Sequence, residues 1–378
     1  MCGSMGYSRT MRNALAALLL LLTCSLPAQD GTWEFRFGPR IIGATIDTRY
    51  ITSEPTTEGV ETSFTGRLSS AYEAVAFSRG ADDSLLFLDP TDTEAISGYS
   101  RFDLLWEVGL QQGILPRTGR SQDAAVVYSL YRGRYRLPFA ESAADLSAAG
   151  LPQVEQTLRG SVVSGIAYST VEKAPITREQ QGLFGEFAIE WGPALLHNEL
   201  FGSANYSRIT LKGSGFAPLL VLPPVDGRNR FSLYLAAFGA VDWASGPDVP
   251  LSVRQTTGGR GLRGAPGGSV RGFGSGRFDA TFKAVGNVEL RAALPAIVLP
   301  SIIPGLVLYT DFGYYNDADR RSPTDAEHQG FLAASGAGLS TDLFDLATLV
   351  FYTSFAWAGE TRTREIWTPF AIGFGFHF

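Results

Sequence analysis

Residues 258–278 read GGRGLRGAPGGSVRGFGSGRF. Glycine and arginine are packed so densely that three readings compete: a cradle for phosphate, an RNA-binding segment of the RGG kind, or a loop pinned in place. The flanks decide between them. On the C-terminal side runs TFKAVGNVELRAAL (281–294), where Phe282, Ala284, Gly286, Val288, Leu290, Ala292 and Leu294 share one side. Thr281, Lys283, Asn287, Glu289 and Arg291 share the other. Alternation of period two marks a strand with one apolar and one polar face. A dinucleotide-binding glycine loop needs a strand before it, a helix after it and an acid about twenty residues on. GFGSGR (272–277) is followed by a strand, so the cradle reading fails.

Charge and cysteine usage bear on the RNA reading. From Met11 the chain reads MRNALAALLLLLTCSLPAQD, a basic residue, an apolar run from Ala14 to Leu22 and a small-residue exit. This pattern predicts a secretory signal peptide over residues 1–28, cut after Ala28, its apolar core too short for a spanning helix. Lipidation at Cys24 is the competing reading, against which Thr23 departs from the usual Gly, Ala or Ser. Cys2 and Cys24 both fall in this segment, so the mature chain is expected to carry neither disulfide nor thiolate chemistry. Loss of Arg9 and Arg12 leaves 29 basic residues against 37 acidic ones, a charge of −8 in place of −6. An acidic exported protein is a poor partner for nucleic acid, whose phosphates need a basic excess.

The composition also points to strands. The chain holds 43 Gly, 25 Phe, 14 Tyr and 6 Trp, and beyond the signal no apolar run approaches the roughly 18 residues that suggest a membrane helix. Thirteen alternating segments can be marked, at 33–46, 63–79, 98–112, 122–137, 157–173, 182–196, 198–212, 229–244, 277–294, 304–316, 330–342, 346–359 and 366–378. SLLFLD (84–89) and FAPLLVLPPV (216–225) are candidates for further short strands. In GLVLYTDFGYYN (305–316), Leu306, Leu308, Thr310, Phe312 and Tyr314 oppose Asp311 and Gly313; in AAVVYSLYRGRYRL (124–137), Val127, Tyr131, Tyr135 and Leu137 oppose Arg132, Arg134 and Arg136.

A soluble sandwich also alternates, but its strands average about 5 to 6 residues, whereas tilted barrel strands need about 9 to 11 in the bilayer alone. Aromatics near strand ends, such as Phe231 and Trp243, suit the girdles of a membrane barrel. The expectation is an all-β protein: one transmembrane antiparallel β-barrel over residues 29–378, with an even count of 12 to 16 strands. The first strand starts almost directly after the signal, which leaves no room for a soluble domain ahead of it. A loop over 245–276 precedes the last five strands. Loops of that length without structure of their own are usually functional.

The run GGRGLRGAPGGSVRGFGSGRFDATFKAVGNVELRAAL, followed by VLYTDFGYYND, SGAGL and a last strand ending FAIGFGFHF, resembles the BamA/TamA superfamily of outer-membrane assembly barrels. The resemblance is tight over roughly 250–378 and general before it. It implies sixteen strands and a loop that folds into the lumen through a motif matched by Val270, Arg271, Gly272 and Phe273. It implies that the arginine is held by lumenal acids, matched by Glu289 and Asp311, with Gly313 completing the second motif. It also implies a barrel-recognition signal in Phe374, Phe376 and Phe378. Alternation independently sets Glu289 and Asp311 on polar faces. A guanidinium in a narrow lumen needs such partners, because an unpaired desolvated charge is costly and a bidentate carboxylate supplies two charge-assisted bonds.

The function so implied is insertion or translocation of protein, or of lipid, at the outer membrane. The partners are the lipid bilayer, client proteins and a separate periplasmic protein in place of the POTRA domains that such barrels usually carry. The alternative is a passive pore or structural surface protein on the same fold. A barrel enzyme comes third, because no G-x-S-x-G elbow stands out and the many carboxylates single out no acid–base pair. His197, His328 and His377 lack a ligand spacing, so neither metal nor cofactor is expected.

Overall fold

The computed structural model describes residues 31–40, 43–52, 60–79, 85–88, 97–116, 124–138, 157–196, 198, 203–264, 269–273, 280–296, 302–316, 329–343, 347–359 and 367–376. The expected signal segment, the three histidines and Phe378 lie outside the described residues.

Fourteen long strands follow one another: β1 (Gly31–Arg40), β2 (Gly43–Thr52), β3 (Thr62–Arg79), β4 (Ser97–Leu115), β5 (Ala125–Pro138), β6 (Thr157–Ser169) and β7 (Gln180–Gly192), then β8 (Asn205–Val221), β9 (Ser232–Asp248), β10 (Phe282–Ala293), β11 (Ile302–Asn316), β12 (Gln329–Leu343), β13 (Ala347–Ala358) and β14 (Trp367–Phe376). Each pairs antiparallel with its neighbours in the chain, an arrangement that needs only turns between strands. Two short strands, Leu85–Leu88 against β3 and Glu172–Lys173 against β7, bring the sheet to sixteen strands among the described residues. The result is one large antiparallel sheet with a barrel-like course.

Three sequence expectations are corrected. The segment 33–46 is two strands, β1 and β2, with Arg40 paired to Gly43. The segment 198–212 is displaced to 205–221, and FAPLLVLPPV begins inside this strand; Pro218 stands where residues beyond Phe216 have no β7 partner, an edge position that proline tolerates. The long loop covers 249–281, because β9 runs on to Asp248 and β10 starts at Phe282. Within it lie a single helical turn, α1 (Leu251–Arg254), and a two-residue ladder joining Thr256–Thr257 to Arg263–Gly264.

The two faces of the sheet divide polarity in an unusual way. Leu110, Leu183, Leu211, Trp243 and Leu308 are each at least half exposed on the outer face. On the inner face Arg132, Glu190, Arg208, Asp242, Lys283 and Asp311 are buried. A water-soluble protein does the opposite, with charged residues almost never fully buried unless paired. Among the described residues no helix is long and apolar enough to cross a membrane, which says nothing about crossing by strands.

Candidate functional site

The site is built on β10 and β11. Their register sets Glu289 level with Tyr309 and Asn287 level with Asp311, so the two acids lie diagonally on one face, within reach of a single planar cation. Arg271 enters that space from the loop. Its Nε donates to Asp311 Oδ2 at 2.7 Å and its Nη2 to Asp311 Oδ1 at 2.7 Å, a bidentate contact. Nη2 also lies 2.6 Å from Glu289 Oε1. The guanidinium carbon sits 3.5 Å from the centre of the Tyr309 ring, and Tyr309 donates its hydroxyl to the Thr353 carbonyl at 2.8 Å. Burial opposes the charge on Arg271, but its bonds to Asp311 and the field of Glu289 outweigh it and hold the guanidinium above its ordinary pKa.

The backbone of the motif is fixed as well. Arg271 N–H donates to Asp311 Oδ2 at 2.9 Å, and Asn287 donates to the Ser269 carbonyl at 2.9 Å. Gly272 adopts φ of +96°, and a Cβ there would approach Ser354 Cβ to 3.1 Å; conformation and space both favour glycine. Val270 and Phe273 are buried with Ala280, Tyr315, Leu332, Ala334 and Ala356, an apolar seat supplied mostly by β11, β12 and β13. Gly313 lies buried two residues along from Asp311, level with Leu332 of this seat. Val270, Arg271, Gly272, Phe273, Glu289 and Asp311 therefore come together, while Gly313 belongs to the wall behind them. Phe374 and Phe376 fall in β14 by backbone, and their side chains lie outside the described residues.

Motif reading alone missed a belt of ions on the other half of the inner face. The register sets opposite charges level with one another: Arg67 and Glu107, Glu107 and Arg132, Glu186 and Lys212, Glu190 and Arg208, Asp242 and Lys283. A chain of alternating sign follows. Arg132 lies 2.5 Å from Glu107 and 3.1 Å from Glu190, Arg208 lies 3.5 Å from Glu190 and 2.8 Å from Asp242, and Lys283 lies 2.9 Å from Asp242. Tyr206 and Ser161 donate to Glu190 at 2.9 and 2.8 Å. Alternation in β5 had placed Arg132 on a polar face; the partners on β4, β7, β8 and β9 had no motif to mark them. Among the described residues no group of three or more His, Cys, Asp or Glu is placed to hold a metal ion.

An antiparallel sheet of this size, met in chain order, with its charges turned inward, has the fold of the BamA/TamA-type barrels. The chain is similar to the solved structure of BamA from Haemophilus ducreyi lacking POTRA domains 1–3, with a TM-score of 0.50 and 13% identity, over 91% of this chain and 64% of that one. At this identity the likeness is one of fold, and the chain spans less than two thirds of the solved chain's length. No family model matches the chain, and no curated protein is similar to it.

Proposed function

We propose that the sheet closes edge to edge into a transmembrane barrel of the bacterial outer membrane, with residues 1–28 removed on export. In this reading the chain is a member of the BamA/TamA assembly superfamily that inserts or translocates protein, with lipid as the other cargo. The inverted polarity supports the membrane setting: exposed leucine and tryptophan suit hydrocarbon, and closure satisfies backbone groups that lipid cannot. The observation that carries the functional reading is the grip of Asp311 and Glu289 on Arg271. It fastens the long loop to the inner face through the residues that the resemblance picks out as the loop-lock motif, ahead of five strands ending in β14. The mechanism that goes with this reading is a seam between β1 and β14 at which a client strand pairs by edge addition.

The rival is a passive pore on the same scaffold, since one fold hosts unrelated functions. Against an open pore stands the loop itself, which lies on the inner face that solutes would pass. Depletion of the protein from its own bacterium separates the two. Loss of a defined set of outer-membrane proteins is expected; an unchanged membrane with altered solute uptake would establish the pore instead.

A further inference from the structure

The arm of the loop ahead of Arg271 is held by different chemistry. Between Val253 and Gly261 the contacts to the wall are made chiefly by main chain. Lys283 donates to the Val253 carbonyl at 3.0 Å, Arg208 to that of Thr256, Arg132 to that of Gly259 at 2.7 Å, and Arg67 to that of Arg260 at 3.1 Å. Lys212 donates to the carbonyls of Gly258 and Gly261 at 3.3 and 3.0 Å. In the other direction, Gly258 N–H donates to Asp242 at 2.9 Å and Arg260 N–H to Glu186 at 2.6 Å. The cations of the ion belt thus serve loop carbonyls as well as wall carboxylates, and two carboxylates keep a lone pair for loop amides.

The space admits little else. Gly259 has φ of +87°, and a Cβ there would lie 2.7 Å from Lys212 Nζ and 2.8 Å from Glu186 Oε1. Arg260 fixes the direction of the arm: its guanidinium donates to Gln111 at 3.0 Å and lies 5.2 Å from the centre of the Tyr128 ring. None of these partners is shared with Arg271, whose acids and apolar seat lie on β10 to β13.

We propose that residues 258–261, the bent glycine-rich tip between the paired Thr256–Thr257 and Arg263–Gly264, occupy a second docking site, on β3 to β9, which binds main chain and holds the first arm of the loop independently of Arg271. Release of the arginine then frees only the segment around residues 269–273, while the first arm stays on the wall. This holds whatever cargo the barrel serves, because it rests on the inner-face contacts alone.

Trypsin reads both arms, since Arg260 and Arg271 are each a cleavage site. The full chain is folded in detergent micelles, its folded state checked by heat-modifiable migration, and the cut bonds identified by mass spectrometry. Asp311→Ala, which keeps Arg271 as a site, is expected to speed cleavage after Arg271 and leave Arg260 as slow as in the parent. Gly259→Val is expected to do the reverse, with cleavage after Arg260 about tenfold faster, the change that losing one charge-assisted hydrogen bond gives. If Gly259→Val does not reach the folded state, the isosteric pair Glu186→Gln with Lys212→Met strands no lone charge and yields the same two rates. Both bonds accelerating together in either variant would overturn the proposal, as would an Arg260 bond cut in the folded parent as fast as in the variants.

Discussion

The two halves of the inner face hold charge in different ways. From β4 to β9 Asp103, Glu107, Glu186, Glu190 and Asp242 each serve at least two donors, and the ions form a continuous chain in which Arg208, Asp242 and Lys283 are at most 1% exposed. From β11 to β13 the wall is mostly apolar and one guanidinium, 20% exposed, reaches it from the loop. Loss of one ion leaves several neighbours unbalanced in the first half and one acid in the second. The first half is therefore built as scaffold, and the second as a contact that can be made or broken without dismantling the sheet.

Asp242→Ala tests that contrast most severely. It removes the partner of Arg208, Lys283 and Thr210, strands the buried Lys283 and leaves Arg208 with Glu190 alone, at 3.5 Å. Breaking a single buried pair costs about 3–5 kcal/mol, so this variant is expected to lose at least that much, seen as a collapse of folded yield and of the urea midpoint in detergent. If its midpoint stayed within the range of surface variants, the belt would not be structural.

Arg271→Ala is expected to cost less, about 2–3 kcal/mol, because one partly exposed cation is lost and Glu289 keeps Arg291 at 2.6 Å. The barrel should still migrate as folded, and single-channel conductance in planar bilayers should rise as the loop segment lifts. Arg271→Lys should recover only part of the loss, since a point charge cannot reproduce the bidentate fork. Unchanged conductance together with full stability would erase the difference between the halves.

Glu289→Gln is a finer probe. Arg271 retains both side-chain bonds to Asp311, so a loss of about 1.5–2 kcal/mol is expected, the low end of the range for one hydrogen bond to a charged group. A larger loss than that of Arg271→Ala would make Glu289 the principal acid. The smallest effect belongs to Arg263, in the LRG that resembles the VRG eight residues on. Its guanidinium carbon lies 4.1 Å from the centre of the Phe238 ring, and Arg263→Ala is expected to cost about 0.5–1 kcal/mol, the value of a cation–π contact. Equal effects from Arg263→Ala and Arg271→Ala, in conductance and urea midpoint alike, would show that the two arginines do the same work.

Much of this is legible in the amino-acid sequence. Alternation placed Glu289 and Asp311 on polar faces, and placed Arg132, Arg134 and Arg136 opposite Val127 and Tyr131, because period two reports the face of a residue directly. It failed over 33–46, where one alternating run is two strands, and at Pro218, where a strand carries on past its neighbour's end. The ion belt is the instructive case. Glu107, Arg132, Glu190, Arg208, Asp242 and Lys283 are each an ordinary charged residue on a polar face, and their alternation of sign appears only across strands.

The amino-acid sequence by itself determined the all-β character, the two-faced strands and the long loop ahead of five strands, which follow from periodicity and composition; that Arg271 meets two acids is what the resemblance implied. Only the tertiary structure decided which charges stand level with which and that the loop's first arm is held by its main chain. Height along a strand is set by the register between chain-distant segments, and backbone amides and carbonyls carry no sequence signature of their partners.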